Sequence, residues 1–348
     1  MSAQQPAARM SVSVIVITLG RPQHIDDCLT QLGRLRTAPA QIIVVDASPD
    51  RRTHDIVTRA HPHALYVRNT MGPGTMSESR QLGLAAAVGD IVAFIDDDAL
   101  VQEDWLDALV DAYEAQDEGV GGVGGRADNG IEGEDAEGWD RIGLLLPNGE
   151  LTGFFAADPG RRVDVDHMLG ANHSFRRQVL LRLGGIRGNY PGTCLREESD
   201  TCLRVRQAGY RLLFEPRAVV RHVAAPYATK GRRFDHRYLY YGQRNHMVLL
   251  ARVYGWRDPI LRRYVATAVR HQGGRFRLAG RIALQGRDEN DRPVSPVRRL
   301  TGPPRQMTRV AAEVAGLLAG LAAGATGRRR DRAAGVATPP VAGRWGAR

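Results

Sequence analysis

Three consecutive carboxylates, Asp96-Asp97-Asp98, follow directly on the apolar run Val92-Ala93-Phe94-Ile95, and a second acidic group, Glu197-Glu198-Ser199-Asp200, stands far downstream. Like charges repel strongly in low dielectric, so each group needs either solvent or a cation. Mg²⁺ or Mn²⁺ would suit the first, since such ions take one or two carboxylates and complete their shell with phosphate oxygens. A solvated turn capping the helix that starts near Gln102 would account for Asp96–Asp98 taken alone. His222 follows two strand-like stretches, Arg211–Phe214 and Ala218–Val220. A lone His there is usually structural, yet beside three aspartates it becomes a third metal ligand. The acids Glu197, Glu198 and Asp200 open a helix that runs to Gly209. They complement its dipole, but capping needs fewer than three. Their mutual repulsion should raise at least one carboxyl toward neutrality, as a general base requires.

The elements that must hold these groups are strands and helices in alternation. Ser11–Thr18, Gln41–Asp46, Ala64–Val67 and the stretch ending at Asp96 are rich in β-branched and apolar residues and read as buried strands. Between them lie helices seeded at Gly20-Arg21-Pro22 and over Met76–Val88, with another after Asp46. This order predicts an α/β fold, a parallel, doubly wound sheet covered on both faces. Ligands of such sheets sit outside the carboxyl ends of the strands, where Thr18, Asp46, Asn69 and Asp96–Asp98 all fall. From Gln116 to Asp166 the chain reads as strand fragments and mobile loops. Gly121–Gly125 lacks the Lys-Ser/Thr of a phosphate cradle and reads as a flexible strand edge.

Composition bounds the rest. The 348 residues are 43% hydrophobic and 25% charged, as in a soluble globular protein with one large domain and an appendage. Cys28, Cys194 and Cys202 have no CxxC spacing, which favours a reducing, cytoplasmic setting. The apolar run Val12–Leu19 lacks a small-x-small cleavage site, so no signal sequence is expected. Of the net charge of +10, residues 257–348 hold more than the whole, with 19 arginines against six acids. Such a segment seeks an anionic partner. It has no interleaved aromatics and no recognisable nucleic-acid module, so nucleic acid is not expected. Tyr238–Tyr254 and Ile260–Val269 read as amphipathic helices. After a break at Pro303-Pro304, Val310, Val314, Leu317, Leu318 and Leu321 recur at helical spacing. The run Val310–Ala325 is shorter than the ~20 residues of a spanning helix. Two outcomes stay open: peripheral contact with an anionic membrane face, or packing against the rest of the chain.

Over roughly Ser11 to Val253 the chain resembles the GT-A-fold family 2 glycosyltransferases, inverting enzymes that use nucleotide sugars. The matching residues are Thr18-Leu19-Gly20-Arg21-Pro22, Val44–Asp50, Asn69-x-x-Gly72 with Arg80-x-x-Gly83, Phe94–Asp98, Gly170–Arg177, Glu197–Arg204, His222 and Tyr240-Tyr241-x-x-Arg244-Asn245. The resemblance implies that Thr18, Arg21, Asp46, Asn69, Arg80, Asp96, Asn172 and Arg244 bind a UDP-, dTDP- or GDP-sugar. Within that set Asp46 would take the nucleobase, Arg80 would lie near the ribose-diphosphate, Asp96 would reach the ribose, and Asn172 would line the donor sugar. Asp96, Asp98 and His222, with Asp97 as a further ligand, would hold Mg²⁺ or Mn²⁺. Glu198 matches the family's second acid and would be the base. This chain has Glu there where Asp is commoner, so Glu197 and Asp200 remain alternatives. The expected domains are an unstructured 1–10, a catalytic 11–255, a basic helical extension 256–326 and an unstructured basic tail 327–348. The expected activity is metal-dependent transfer to an acceptor hydroxyl in glycan, glycolipid or glycosylated-metabolite synthesis, cell-envelope synthesis included, in the cytoplasm or on the inner membrane face. A nucleotidyltransferase is the nearest rival, but Gly20-Arg21-Pro22 is too short for its phosphate loop, and the acidic helix start has no work in that chemistry.

Overall fold

The computed structural model describes residues 9–115, 119–223, 235–334 and 336. The parallel half of the sheet is built from β1 (Val12–Thr18), β2 (Gln41–Asp46), β3 (Leu65–Arg68) and β4 (Ile91–Asp96), linked by α1 (Pro22–Leu32), α2 (Arg52–Ala60) and α3 (Met76–Ala86). The other half comprises β5 (Ala99–Val101), β6 (Val120–Asp128), β7 (Val163–Val165), β8 (Asn172–Arg176) and β9 (Arg211–His222), with α4 (Trp105–Glu114), α5 (Arg177–Arg182) and α6 (Glu197–Gln207). The strand order is β3-β2-β1-β4-β8-β6-β9-β5, with β7 paired to β9. Pairs β1–β2, β2–β3, β1–β4 and β6–β9 are parallel; β8 enters antiparallel between β4 and β6.

The period-2 alternation of a strand divides the core into two layers. Val12, Val14 and Val16 of β1 join Ile91, Ala93 and Ile95 of β4 under α1 and α4. Ile15 and Ile17 join Val92 and Phe94 on the opposite face, under α3, α5 and α6. Both faces are therefore covered, as the near-continuous apolar runs imply.

The glycine run departs from its sequence reading. Gly121–Gly125 lies inside β6, between β8 and β9, and not at an edge. A Cβ on Gly125 would run into the Ala218 carbonyl and the Asn172 amide, so the absent side chain is what lets three strands and Asn172 close up. The two strands foreseen over Arg211–Val220 are one, β9, whose register shifts against β6 between Gly125 and Arg126.

The helical extension is longer than its periodicity suggests. It follows α7 (His236–Val253) and consists of α8 (Pro259–Gln285) and α9 (Pro296–Ala333). Pro303 and Pro304 lie within α9 instead of breaking it, and the neighbouring Gly302 seats against Ile282 of α8. Tertiary packing there outweighs a proline penalty of about 3 kcal/mol. The helix also crosses the expected boundary at 326, while residues 1–8, 335 and 337–348 lie outside the described set. By length and composition α9 could cross a membrane, contrary to the shorter run read from sequence. One side of it is packed within the chain: Gly316, Gly320 and Gly324 press on Tyr240, Arg244, Met247 and Ala251 of α7.

Candidate active site

Strand register assembles the site. Parallel pairing sets Asp96 opposite Ile17, so Asp97 comes alongside Thr18. The Thr18 hydroxyl donates to Asp97 Oδ2 at 2.7 Å. After the turn at Asp97-Asp98, β5 pairs antiparallel with β9, with Ala99 opposite His222. The Val223 amide donates to the Asp98 carbonyl at 2.9 Å, and His222 Nε2 stands 3.4 Å from Asp98 Oδ1. Asp96, Asp98 and His222 thus offer ligand atoms all within 4.8 Å of one another. Two hard carboxylates and an imidazole make a donor set that suits Mg²⁺ or Mn²⁺.

Two guanidiniums border this cluster. Arg21, just past β1, donates to Asp97 at 2.9 Å and Asp98 at 3.3 Å. Arg80, from α3, is buried and donates to Asp96 at 3.0 Å and to the Gly170 carbonyl at 2.9 Å. Its other face meets Glu197. Burial pushes the Asp97 carboxyl up to about 7 against the pull of Arg21 and Thr18, and raises Asp96 as well.

The acidic helix start separates into three environments. Glu197 is buried against Arg80. Asp200 is buried between Tyr190 (2.6 Å) and Arg204 (2.7 Å). Burial alone would raise Asp200, but the charges of Arg187, Arg204 and Arg252, with the Tyr190 hydroxyl, bring it down to about 2. Glu198 is the half-buried one. Desolvation raises its carboxyl despite the nearby charges of Arg196 and Arg80 and a 3.3 Å bond from the Ser199 hydroxyl. Only Glu198 combines access with an upward shift, the pairing a general base needs.

Residues 13–184 match the model of glycosyl transferase family 2. The glucosyl-dolichyl phosphate glucuronosyltransferase of Haloferax volcanii is 32% identical over 232 residues, 64% of this chain and 72% of that one. The chain belongs to glycosyltransferase family 2. It is a glycosyltransferase, not a nucleotidyltransferase. The pre-mycofactocin glycosyltransferase of Mycobacterium tuberculosis is 30% identical over 214 residues, 61% of this chain but 42% of that one. Among solved structures, a mannosyltransferase from Pyrobaculum calidifontis in complex with GDP-Man and Mn²⁺ superposes with TM-score 0.56 at 20% identity, covering 95% of this chain and 90% of that one. GalNAc-T7 with UDP, GalNAc and Mn²⁺ gives TM-score 0.54 at 17% identity, covering 76% and 51%. Both agree with a GT-A fold: a mixed, mostly parallel sheet covered by helices, here with a C-terminal helical extension.

Within this glycosyltransferase several expected contacts are turned inward. Asp46 is fully buried, its oxygens taken by the Ser48 amide (2.7 Å), the Tyr66 hydroxyl (2.7 Å) and Arg68 (3.2 Å). A base could reach it only by displacing Tyr66 or Arg68. The Asn69 amide braces the loop before α3 through Thr75 and Ser79. Asn172 does not line an open cleft: Trp105 donates to its oxygen, and its nitrogen donates to the Arg126 and Ala218 carbonyls. Arg244 binds Asn189 and Asn245. Glu197 and Asp200 are held in buried ion pairs with Arg80 and Arg204. Buried polar groups must be satisfied, and here some partners are local, such as Ser48 for Asp46, and others distant, such as Trp105 for Asn172. Arg196, with a left-handed φ of 80°, lies beside Glu198 and was not foreseen; nothing in its sequence context marks it.

The Asp200 network carries a pH signature. Its folded pKa lies below the ordinary 3.8, so its stabilisation is present above about pH 4 and is lost as pH falls through about 2. The contribution should be about 2 kcal/mol. Urea titrations of the wild type and Asp200→Asn from neutral to acid pH test this. A wild-type slope no steeper than the variant's would refute it.

Proposed function

We propose that this glycosyltransferase moves a sugar from a UDP-, dTDP- or GDP-sugar to an acceptor hydroxyl with inversion, in a divalent-metal-dependent reaction. The observation that carries this reading is the convergence of Asp96, Asp98 and His222 at the carboxyl end of β4, joined through Arg80 to Glu197, the neighbour of half-buried Glu198 with its raised carboxyl. Mg²⁺ or Mn²⁺ held by those three residues would neutralise charge on the departing diphosphate. Arg21 and Arg80 keep the acidic turn in place. Glu198 takes the proton of the acceptor hydroxyl as its oxygen bonds to the anomeric carbon. The bond from that carbon to the phosphate oxygen breaks, and the nucleoside diphosphate leaves with the electron pair. Among acceptors we place first a hydroxyl on a lipid-linked sugar, the class named in the Haloferax relative.

Nucleotide binding tests the metal role directly. A matching nucleoside diphosphate should raise stability by about 2.7 kcal/mol at a hundredfold excess over Kd, and only with Mg²⁺ or Mn²⁺ present. Asp98→Asn should abolish that metal dependence. Thermal shifts that persist in EDTA would rule the metal role out.

A further inference from the structure

The outer face of α9 is unlike a helix surface that meets water. From Val310 to Gly327, the exposed positions of α9 are Ala311, Val314, Ala315, Leu318, Ala322 and Thr326, with no charge among them. The acid of this stretch, Glu313, points inward to Arg275 (2.6 Å) and Gln272 (2.6 Å). The uncharged face is about 25 Å long at 1.5 Å per residue. It continues toward the helix start through Leu300 and Val297, which are 79% and 70% exposed. On α8, Val269 (61% exposed) and Phe276 (54%) stand seven residues apart and share a face. Arg263, Arg270 and Arg277, also seven apart, form an exposed row one position along from them. Exposed Arg305 and Arg329-Arg330 flank the uncharged exposed positions of Val310–Gly327. Solvent-facing helices ordinarily carry charged and polar residues on the outer side.

We propose that this face docks on the surface of an anionic lipid bilayer. Apolar side chains would enter the acyl boundary while the arginine rows meet phosphate headgroups. The opposite side of α9 is sealed on α7 through Gly316, Gly320 and Gly324, and α7 itself is buried from Asn245 to Val253. The helix can therefore lie along a membrane but not be surrounded by lipid. A second copy fits this face poorly, since a twofold contact would set arginine rows against one another. The exposed acids of the α8–α9 connection, Glu289 and Asp291, already stand beside Arg298 and Arg287. The docking inference depends on this surface alone and survives failure of the proposed donor chemistry. If both hold, the enzyme works where a lipid-linked acceptor is anchored.

The test is co-sedimentation of the full chain with vesicles of phosphatidylcholine alone, and of phosphatidylcholine with phosphatidylglycerol in a three-to-one mixture, at low and high salt. The wild type should bind the mixed vesicles, bind the neutral ones weakly, and be released by salt. Val297→Asp/Leu300→Asp/Leu318→Asp should lower the partition coefficient at least about tenfold, with an unchanged melting temperature. Arg263→Gln/Arg270→Gln/Arg277→Gln alters only exposed side chains and should lose the phosphatidylglycerol dependence, which provides a second readout if the first variant folds poorly. No sedimentation of the wild type, or equal sedimentation of the arginine variant, would overturn the proposal. So would a wild-type dimer that the aspartate substitutions turn into monomers, because the face would then be a self-association surface.

Discussion

Glu198→Gln should lower kcat by roughly 10²–10⁴-fold while donor affinity stays near the wild-type value. The substitution keeps size and hydrogen-bonding shape but removes the group that takes the acceptor proton. Glu198 is half-buried, and desolvation raises its carboxyl, so the loss of rate on the acid side of the wild-type kcat/KM profile should begin above the ordinary glutamate range. The base acts deprotonated, so the rate should rise with pH through that shifted value, and this limb should vanish in the variant. Asp200→Asn and Glu197→Gln should act mainly on stability, because both side chains are already held by buried arginines. A folded Asp200→Asn enzyme without turnover, beside an active Glu198→Gln enzyme, would transfer the role to Asp200.

Arg80→Met should destabilise the fold by about 3–5 kcal/mol. The guanidinium is buried between Asp96 and Glu197, one group from each acidic cluster. Its removal leaves a buried Glu197 without its counter-charge, and the flexible thioether fills only the volume. Arg80→Met/Glu197→Gln should recover part of the loss, since the stranded charge is then gone. Urea midpoints of the two variants and the wild type at neutral pH decide the matter. A single-variant loss below about 1 kcal/mol, or a double variant no more stable than the single one, would count against Arg80 as the pivot between the clusters.

Much of the catalytic layer was legible in the residues themselves. The runs Val12–Thr18, Gln41–Asp46 and Ile91–Asp96 are apolar on both alternations, and that pattern is stable only in a sheet covered on both sides. Carboxylates that end such strands must emerge at one edge, which puts Asp96–Asp98 at the carboxyl end of the sheet. His222 was reachable for a similar reason, as a polar residue at the end of a strand. What sequence could not supply was the partner of each buried polar group. Asp46, Asn69 and Asn172 end or follow strands alike, but it is the fold that pairs them with Tyr66, Thr75 and Trp105. The three acids of α6 are equivalent by spacing. Only the tertiary structure, by bringing Arg80 to Glu197 and Arg187, Arg204 and Tyr190 to Asp200, leaves Glu198 half-buried and raised. The extension divides in the same way. Helical periodicity marks α9 as apolar, but which stripe is outside depends on where the glycines let α7 approach, a contact set by residues up to 79 apart in the chain, such as Arg252 and Asp331. Sequence determines which groups must be buried or paired; the fold decides with whom, because pairing energy depends on distance and solvent exclusion that no local pattern encodes.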